Sequence, residues 1–358
     1  IEKLFLIKNE KEIEVFKEKL FLEQLQWSPW LIRFYGAFQD DSYLYFVLEN
    51  CEVGTLHNLI TANTVLSLYE IKYILAEILC GIDDIHSFGL IHRDIKLENI
   101  LVDDDGNLKI IDFGCSTMKH IKDVNDKVFT KFQELEKKYK KPMKPSYISN
   151  PLDSSQRGYS ASMNDSNKNI IQKSCNDTVN RENGTKSLSK SVLEDIKEKY
   201  NGTEMKIISY EFETDSTQNS VSNNNPRPTF CGSPLYISPE VLCGDKAGYE
   251  CDIWAFGIIA HRLILGTFPF DSNSDFLRFE AIMNQEINLD SVTDPDSKNL
   301  LIKLLNKNPK KRFINYNDKG VPDYSILKAD PFFHDINWSN LGKKKSTIKK
   351  IVENQKVM

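Results

Sequence analysis

His92, Arg93 and Asp94 stand side by side, with Lys96 two residues and Asn99 five residues beyond the aspartate. Asp112-Phe113-Gly114 follows, with Asp112 eighteen residues after Asp94. Phosphoryl transfer needs a carboxylate to accept the proton of the attacking hydroxyl, and oxygen ligands for the metal ions that hold a triphosphate. Asp94 can be that base, Asn99 and Asp112 can be those ligands, and Lys96 can offer positive charge to the group in flight. Between the two clusters, Ile100-Leu101-Val102 and Leu108-Lys109-Ile110-Ile111 flank the polar run Asp103 to Asn107. This reads as two short strands joined by a turn, a hairpin that would bring Asp94 and Asp112 to one cleft.

Other elements must position these groups. Lys11 to Gln26 reads as a helix apolar on two sides, with Glu18, Leu22 and Leu25 along one and Ile13, Phe16 and Leu20 along another, so it is expected to be sandwiched. Tyr43 to Glu49 reads as a strand. Ser67-Leu68-Tyr69-Glu70 has capping-box spacing and opens a long helix. Its buried stripe is Ile71, Ile74, Leu75, Ile78, Leu79, Ile82 and Ile85, and it stops at Phe88-Gly89. The apolar run Asp252 to Leu265 predicts a buried helix, and Ser274 to Asn284 and Asp296 to Leu305 predict two more.

From about Pro142 to Pro228 the composition shifts to Asn, Ser, Asp, Lys and Thr, with few large apolar residues. Such a stretch buries too little surface to offset its ordering entropy and is expected to be largely disordered. Val124 to Lys141 is helix-compatible, with Val128, Phe132 and Leu135 along one side, and Val192 to Tyr200 is a second short candidate. The lysines at 343–345 and 349–350 read as a basic, frayed and solvated tail. A net charge of −5 offers no reason to expect nucleic acid as a partner. Seven cysteines without a CxxC pair fit reduced thiols and a cytoplasmic setting. No secretory signal opens the chain, and no apolar run approaches the roughly 18–20 residues of a membrane span.

On these motifs the chain resembles a eukaryotic protein kinase. Ser238-Pro239-Glu240 resembles the motif that ends the activation segment, and the resemblance pairs Glu240 with Arg312. Asp252 to Gly257 is similar to the start of the large-lobe core helix, whose aspartate anchors the catalytic loop. Glu18 matches the helix glutamate that pairs with the ATP-anchoring lysine; Leu22, Phe34, His92 and Phe113 match the hydrophobic column that joins the lobes. Leu48 matches the gatekeeper, and Glu49, Asn50 and Cys51 the hinge. Thr229 and Ser233 match the activation-loop phosphosite and the hydroxyl that contacts the catalytic aspartate and lysine, with Arg93 as partner of the phosphate. Lys96 favours serine/threonine over tyrosine specificity.

Within kinases the chain is most similar to the AGC group and the 3-phosphoinositide-dependent type, through Phe38 to Phe46 and Asp330 to Trp338. That resemblance implies a small-lobe groove that docks the hydrophobic tails of substrate kinases, here Lys3, Leu6, Ile7, Val15, Gln39 and Leu44, with Lys19 on its rim. The implied fold is α+β and two-lobed: an incomplete, β-rich small lobe over 1–50, and a mainly helical large lobe over 51–341. An insertion at 119–228 interrupts the large lobe, and the tail is 342–358. The implied cofactors are ATP and Mg2+, and the implied partners are protein substrates. No glycine-rich loop and no strand lysine precede Glu18. An N-terminally incomplete kinase is the expected explanation, and residues 1–358 alone are then expected to be weakly active or inactive. The alternative is a pseudokinase scaffold that binds partners through the groove or the insertion.

Overall fold

The computed structural model describes residues 1–61, 66–139, 233–342, 348–349 and 351–352. The chain starts with helix α1 (Lys3–Lys8) and helix α2 (Glu12–Gln24). Strands β1 (Phe34–Gln39) and β2 (Leu44–Leu48) follow as an antiparallel hairpin. Helix α2 packs against β1 on one side and a later helix on the other, so its two apolar arcs each meet a partner. The small lobe is thus more helical than the β-rich expectation: residues 3–8 form a helix, and only one hairpin accompanies the two helices.

Strand β3 (Gly54–Thr55) and helix α3 (Leu56–Thr61) lead to helix α4 (Leu68–Ser87). Ser67 closes the N-terminus of α4 with a reciprocal capping box, its hydroxyl accepting from the Glu70 N–H while Glu70 accepts from the Ser67 N–H. All seven residues of the apolar stripe are buried. The helix ends at Phe88, and Gly89 turns the chain at φ +87°, where a Cβ would lie 2.6 Å from the Lys119 carbonyl oxygen. Strand β4 (Leu90–Ile91) then enters the catalytic loop, followed by the hairpin of β5 (Ile100–Val102) and β6 (Leu108–Ile110). Strand β7 (Thr117–Met118) returns to pair with β4.

Helix α5 (Asp126–Tyr139) occupies part of the stretch from Val124 to Lys141, burying Val128 and Phe132. The Val192–Tyr200 candidate lies outside the described residues. After Ser233 come α6 (Pro239–Leu242), α7 (Tyr249–Leu265), α8 (Asp275–Asn284) and α9 (Pro295–Leu304). Thirteen residues of α7 are buried, and it packs between α4 and α9. Gly257 permits the second contact: a Cβ there would meet Leu305 Cδ2 at 2.8 Å and Leu304 Cβ at 2.9 Å. The strand pair β8 (Asn315–Tyr316) and β9 (Pro322–Asp323) and helix α10 (Ser325–Lys328) complete the large lobe.

Of the tail, the described residues 348–349 and 351–352 depart from the frayed, solvated expectation. Ile348 and Val352 are fully or almost fully buried, and Lys349 pairs with Asp105 on the β5–β6 turn. Two apolar side chains spaced four apart recover enough hydrophobic free energy to hold a segment that its lysines alone would leave in water.

Ile78, buried in the middle of α4, is expected to be worth about 2–5 kcal/mol when truncated to alanine, and the Ser67 cap about 1 kcal/mol. Urea denaturation of Ile78→Ala and Ser67→Ala should show midpoints lowered in that order, with unchanged slopes.

Candidate active site

The loop from His92 to Asn99, the candidate catalytic loop, is held from beneath by one carboxylate. Asp252, in the first turn of α7 and 1 % exposed, accepts the backbone N–H of His92 at 2.7 Å and of Arg93 at 2.8 Å. His86 Nε2 lies 2.8 Å from the same carboxylate, and His86 Nδ1 lies 2.5 Å from the Tyr324 hydroxyl. Burial pushes the Asp252 pKa up, but the hydrogen bond from His86, the nearby imidazoles and the Arg93 amide outweigh it and leave the group acidic. Arg93 is thereby fixed at φ +67°, and Asp112 sits at φ +66°. Both are left-handed conformations that a non-glycine residue holds only when its surroundings impose them.

Asp94 is the hub above this base. Its Oδ2 accepts from Asn99 Nδ2 at 2.9 Å and lies 2.9 Å from Lys96 Nζ; its Oδ1 accepts from the Ser233 N–H at 3.1 Å. Lys96 Nζ also donates to Ser233 Oγ at 2.9 Å. Asn99 gives a second bond to the Asp94 carbonyl at 2.9 Å, and its own carbonyl accepts from the Ile111 N–H at 3.0 Å. The β5–β6 hairpin therefore carries Asp112 back beside the loop. Gly114 donates its N–H to Asp112 Oδ1 at 3.2 Å, and Arg93 Nε donates to the Cys115 carbonyl at 2.5 Å. His92 stacks near Phe113, with ring centroids 5.1 Å apart, and its Nε2 lies 3.0 Å from the Ile111 carbonyl. Asp94 N–H approaches His92 Nδ1 at 3.3 Å, so the imidazole carries its proton on Nε2.

Leu22 and Phe113 are buried in one hydrophobic cluster, with Phe34 packed on it. Glu18 belongs to the same edge of α2. Burial first, then the charges of Asp112 and Glu14, push its carboxyl up to about 8, and no hydrogen bond or ion pair to a cation accompanies it among the described residues. At the end of β2, Leu48 is half-buried, Glu49 pairs with Lys109 at 3.4 Å, and burial raises the Cys51 thiol to about 12.

Glu240 and Arg312 form a buried, two-pronged pair, Nη1 to Oε1 and Nη2 to Oε2 each at 2.6 Å. Arg312 also donates to the carbonyls of Asn306 and Glu250. Thr229 lies outside the described residues. Cys51, Cys80, Cys243 and Cys251 are free thiols.

In the small lobe, Leu6 and Val15 are buried, Leu44 is half-buried, and Ile7 and Gln39 are exposed. Lys3 Nζ donates to the Asp40 carbonyl at 2.5 Å, and Lys19 pairs with Glu23 at 2.9 Å. Sequence reasoning passed over His86 and Tyr324, which complete the support of Asp252. A polar residue one turn after Ile82 on a buried stripe was the available signal for His86; nothing local marks Tyr324.

A sequence model of the protein kinase domain matches residues 3–134 and 189–316, the second part beginning inside the compositionally distinct stretch. The chain belongs to the protein kinase domain family. It is 28 % identical over 341 residues to 3-phosphoinositide-dependent protein kinase 1 of Arabidopsis thaliana, covering 95 % of this chain and 50 % of that protein. It is also 28 % identical to the serine/threonine-protein kinase CBK1 of Debaryomyces hansenii, over 88 % of this chain and 38 % of the relative. The same identity relates it to the serine/threonine-protein kinase cek1 of Schizosaccharomyces pombe, over 95 % of this chain and 26 % of the relative. The chain thus spans half or less of the length of these relatives. Among the described residues no helix is long and apolar enough to cross a membrane.

Two measurements follow from the charges. A carboxyl whose folded pKa of about 8 lies above its ordinary value of 4.5 favours folding only while protonated. Glu18 therefore costs nothing below pH 4.5 and subtracts stability progressively as the pH rises towards 8. Glu18→Gln is expected to match the unsubstituted chain near pH 4.5 and to exceed it at pH 8 by on the order of 2 kcal/mol, read by denaturant titration at each pH. Arg312→Met strands the buried Glu240 carboxylate and should cost about 3–5 kcal/mol, whereas Arg312→Met with Glu240→Leu should recover most of it.

Proposed function

We propose that this chain is the catalytic part of a serine/threonine protein kinase, transferring the γ-phosphoryl group of ATP to protein hydroxyls. The observation that carries the reading is the Asp94 hub, with Asn99 and Lys96 on one carboxylate oxygen and Ser233 on the other. A substrate hydroxyl near Asp94 can give up its proton to that carboxylate as its oxygen bonds to the γ-phosphorus. The bond from phosphorus to the bridging oxygen breaks, and ADP leaves with that electron pair. Lys96, held between Asp94 and Ser233, is placed to stabilise negative charge on the phosphoryl oxygens. Its position favours serine and threonine as acceptors.

The donor set suits Mg2+. Asp112 supplies a carboxylate, and Asn99, with its Nδ2 committed to Asp94, supplies an oriented carboxamide oxygen. Hard oxygen ligands few in number, completed by phosphates, are the usual Mg2+ arrangement. Asn99 and Asp112 would hold Mg2+, which would supply positive charge against the triphosphate. That charge would also relieve the mutual repulsion of Asp112, Glu14 and Glu18. Leu48, Glu49 and Cys51 are the proposed nucleotide-side wall, and Glu18 the proposed partner of an ATP-anchoring cation.

At a finer level we read the chain as an activator of other kinases of the phosphoinositide-dependent type, with Thr229 as activation-loop phosphosite. Leu6 and Val15 would form the floor of a groove for hydrophobic tails, Ile7 and Leu44 its walls, and Lys3, Gln39 and Lys19 its polar edge. Glu18, with no cation partner among the described residues, favours a second reading, a scaffold that binds partners without transferring phosphate. Stabilisation by ATP that requires Mg2+ separates the two.

In the full-length protein, Asp94→Asn is expected to lower transfer of labelled phosphate to a serine-containing protein about 10²–10⁴-fold while leaving Mg2+-dependent ATP binding within about twofold. Transfer at an undiminished rate would remove Asp94 from the chemistry.

A further inference from the structure

Helix α5 ties the large lobe to α2. Its N-terminal anchor is Asn125, 1 % exposed, whose Nδ2 donates to the Phe88 carbonyl at 2.7 Å and the Lys119 carbonyl at 2.9 Å. Asn125 Oδ1 accepts from the Ile121 N–H at 2.9 Å, and the Asn125 carbonyl accepts from the Phe129 N–H at the start of the helix. Phe88 is the cap of α4, so the base of α5 is fixed to the end of a fully packed large-lobe helix.

The body of α5 then grips α2 at three levels. Phe132, 3 % exposed, packs against Phe21 with ring centroids 5.8 Å apart. Glu136 Oε1 takes the ammonium of Lys17 at 3.2 Å, and the same ammonium lies 5.1 Å from the Phe132 ring. Tyr139 stacks on Phe16 at 5.5 Å. Lys17 is a buried lysine: burial lowers its pKa and the Glu136 carboxylate counters that. Loss of Glu136 would leave a desolvated ammonium, so this contact has a strong geometric preference.

The gripped arc of α2 adjoins the arc that faces the site. Glu14 and Glu18 lie one turn apart on that second arc, and the Glu14 Cβ comes within 3.6 Å of where a Cβ on Gly114 would stand. A rotation of α2 that released Phe21 and Lys17 would therefore also carry Glu18 away from Asp112. Helical side chains turn together, because the backbone ladder between them resists twisting.

We infer that α5 is an inter-lobe strut, and that Asn125, Phe132 and Glu136 are positioning residues that act through α2 to set Glu18 against Asp112. The inference rests on the kinase reading for its catalytic consequence, but the positioning of α2 is measurable without it.

The test is hydrogen exchange of the α2 amides, residues 12–24, in the full-length protein and in Glu136→Lys and Phe132→Ala. Both variants should exchange about tenfold faster in α2 while the amides of α7 keep their rates, marking a local release. Adding Lys17→Glu to Glu136→Lys should recover at least half of the lost protection. Steady-state transfer assays on the same proteins should show kcat/KM for ATP down about tenfold. Unchanged α2 exchange in both variants would overturn the strut. Faster α2 exchange with unaltered ATP kinetics would overturn the positioning role and leave α5 a packing element. If the unsubstituted protein transfers no phosphate, the kinase reading fails, and the exchange data still decide whether the strut exists.

Discussion

The candidate active site depends on one buried aspartate. Asp252 collects two backbone amides of the catalytic loop and an imidazole, in surroundings where an uncompensated carboxylate would be expelled or protonated. Those bonds make Arg93 hold a left-handed conformation that its side chain disfavours. With the backbone at 92–93 fixed, Asp94 projects towards Asn99, Lys96 and Ser233 rather than into the core. The strain is local, and its compensation is supplied by α7, α4 and α10, through Asp252, His86 and the Tyr324 that caps α10. A mobile loop could present the same residues without presenting them in one geometry.

Charge imbalance in the cleft is the second organising feature. Asp112, Glu14 and Glu18 face one another, and burial amplifies their repulsion enough to raise Glu18 far above an ordinary glutamate. On the loop side, each oxygen of Asp94 is already engaged by a donor. The cleft therefore offers negative charge on the α2 and Asp112 side and balanced charge on the catalytic-loop side. That asymmetry suits a ligand that brings cations with its phosphates.

Helix α2 is where these constraints meet. It presents acids to the cleft, Leu22 to the hydrophobic column, and Lys17 and Phe21 to α5, and leaves only a strip through Phe16, Lys19 and Glu23 to solvent. Its sequence is weakly amphipathic for that reason: a helix contacted on several sides has no single polar face. Helix α5, by contrast, is polar outside one apolar side of Val128, Phe129, Phe132, Leu135 and Tyr139.

The amino-acid sequence by itself determined what is encoded locally. The capped α4, the β5–β6 hairpin and the spacing from His92 to Asp112 were legible because turn chemistry, side-chain periodicity and short-range register act over fewer than about twenty residues. Tertiary structure alone decided the rest. Tyr324 reaches His86 across 238 positions, and Glu136 reaches Lys17 across 119, so no local pattern marks either contact. The same holds for Ile348 and Val352, whose burial beside the β5–β6 turn cancels the solvated character that their lysine neighbours imply. It holds too for residues 3–8, too short to be helical without the rest of the small lobe. Local pattern sets which conformations a segment can adopt, and the burial and pairing supplied by distant segments select one of them.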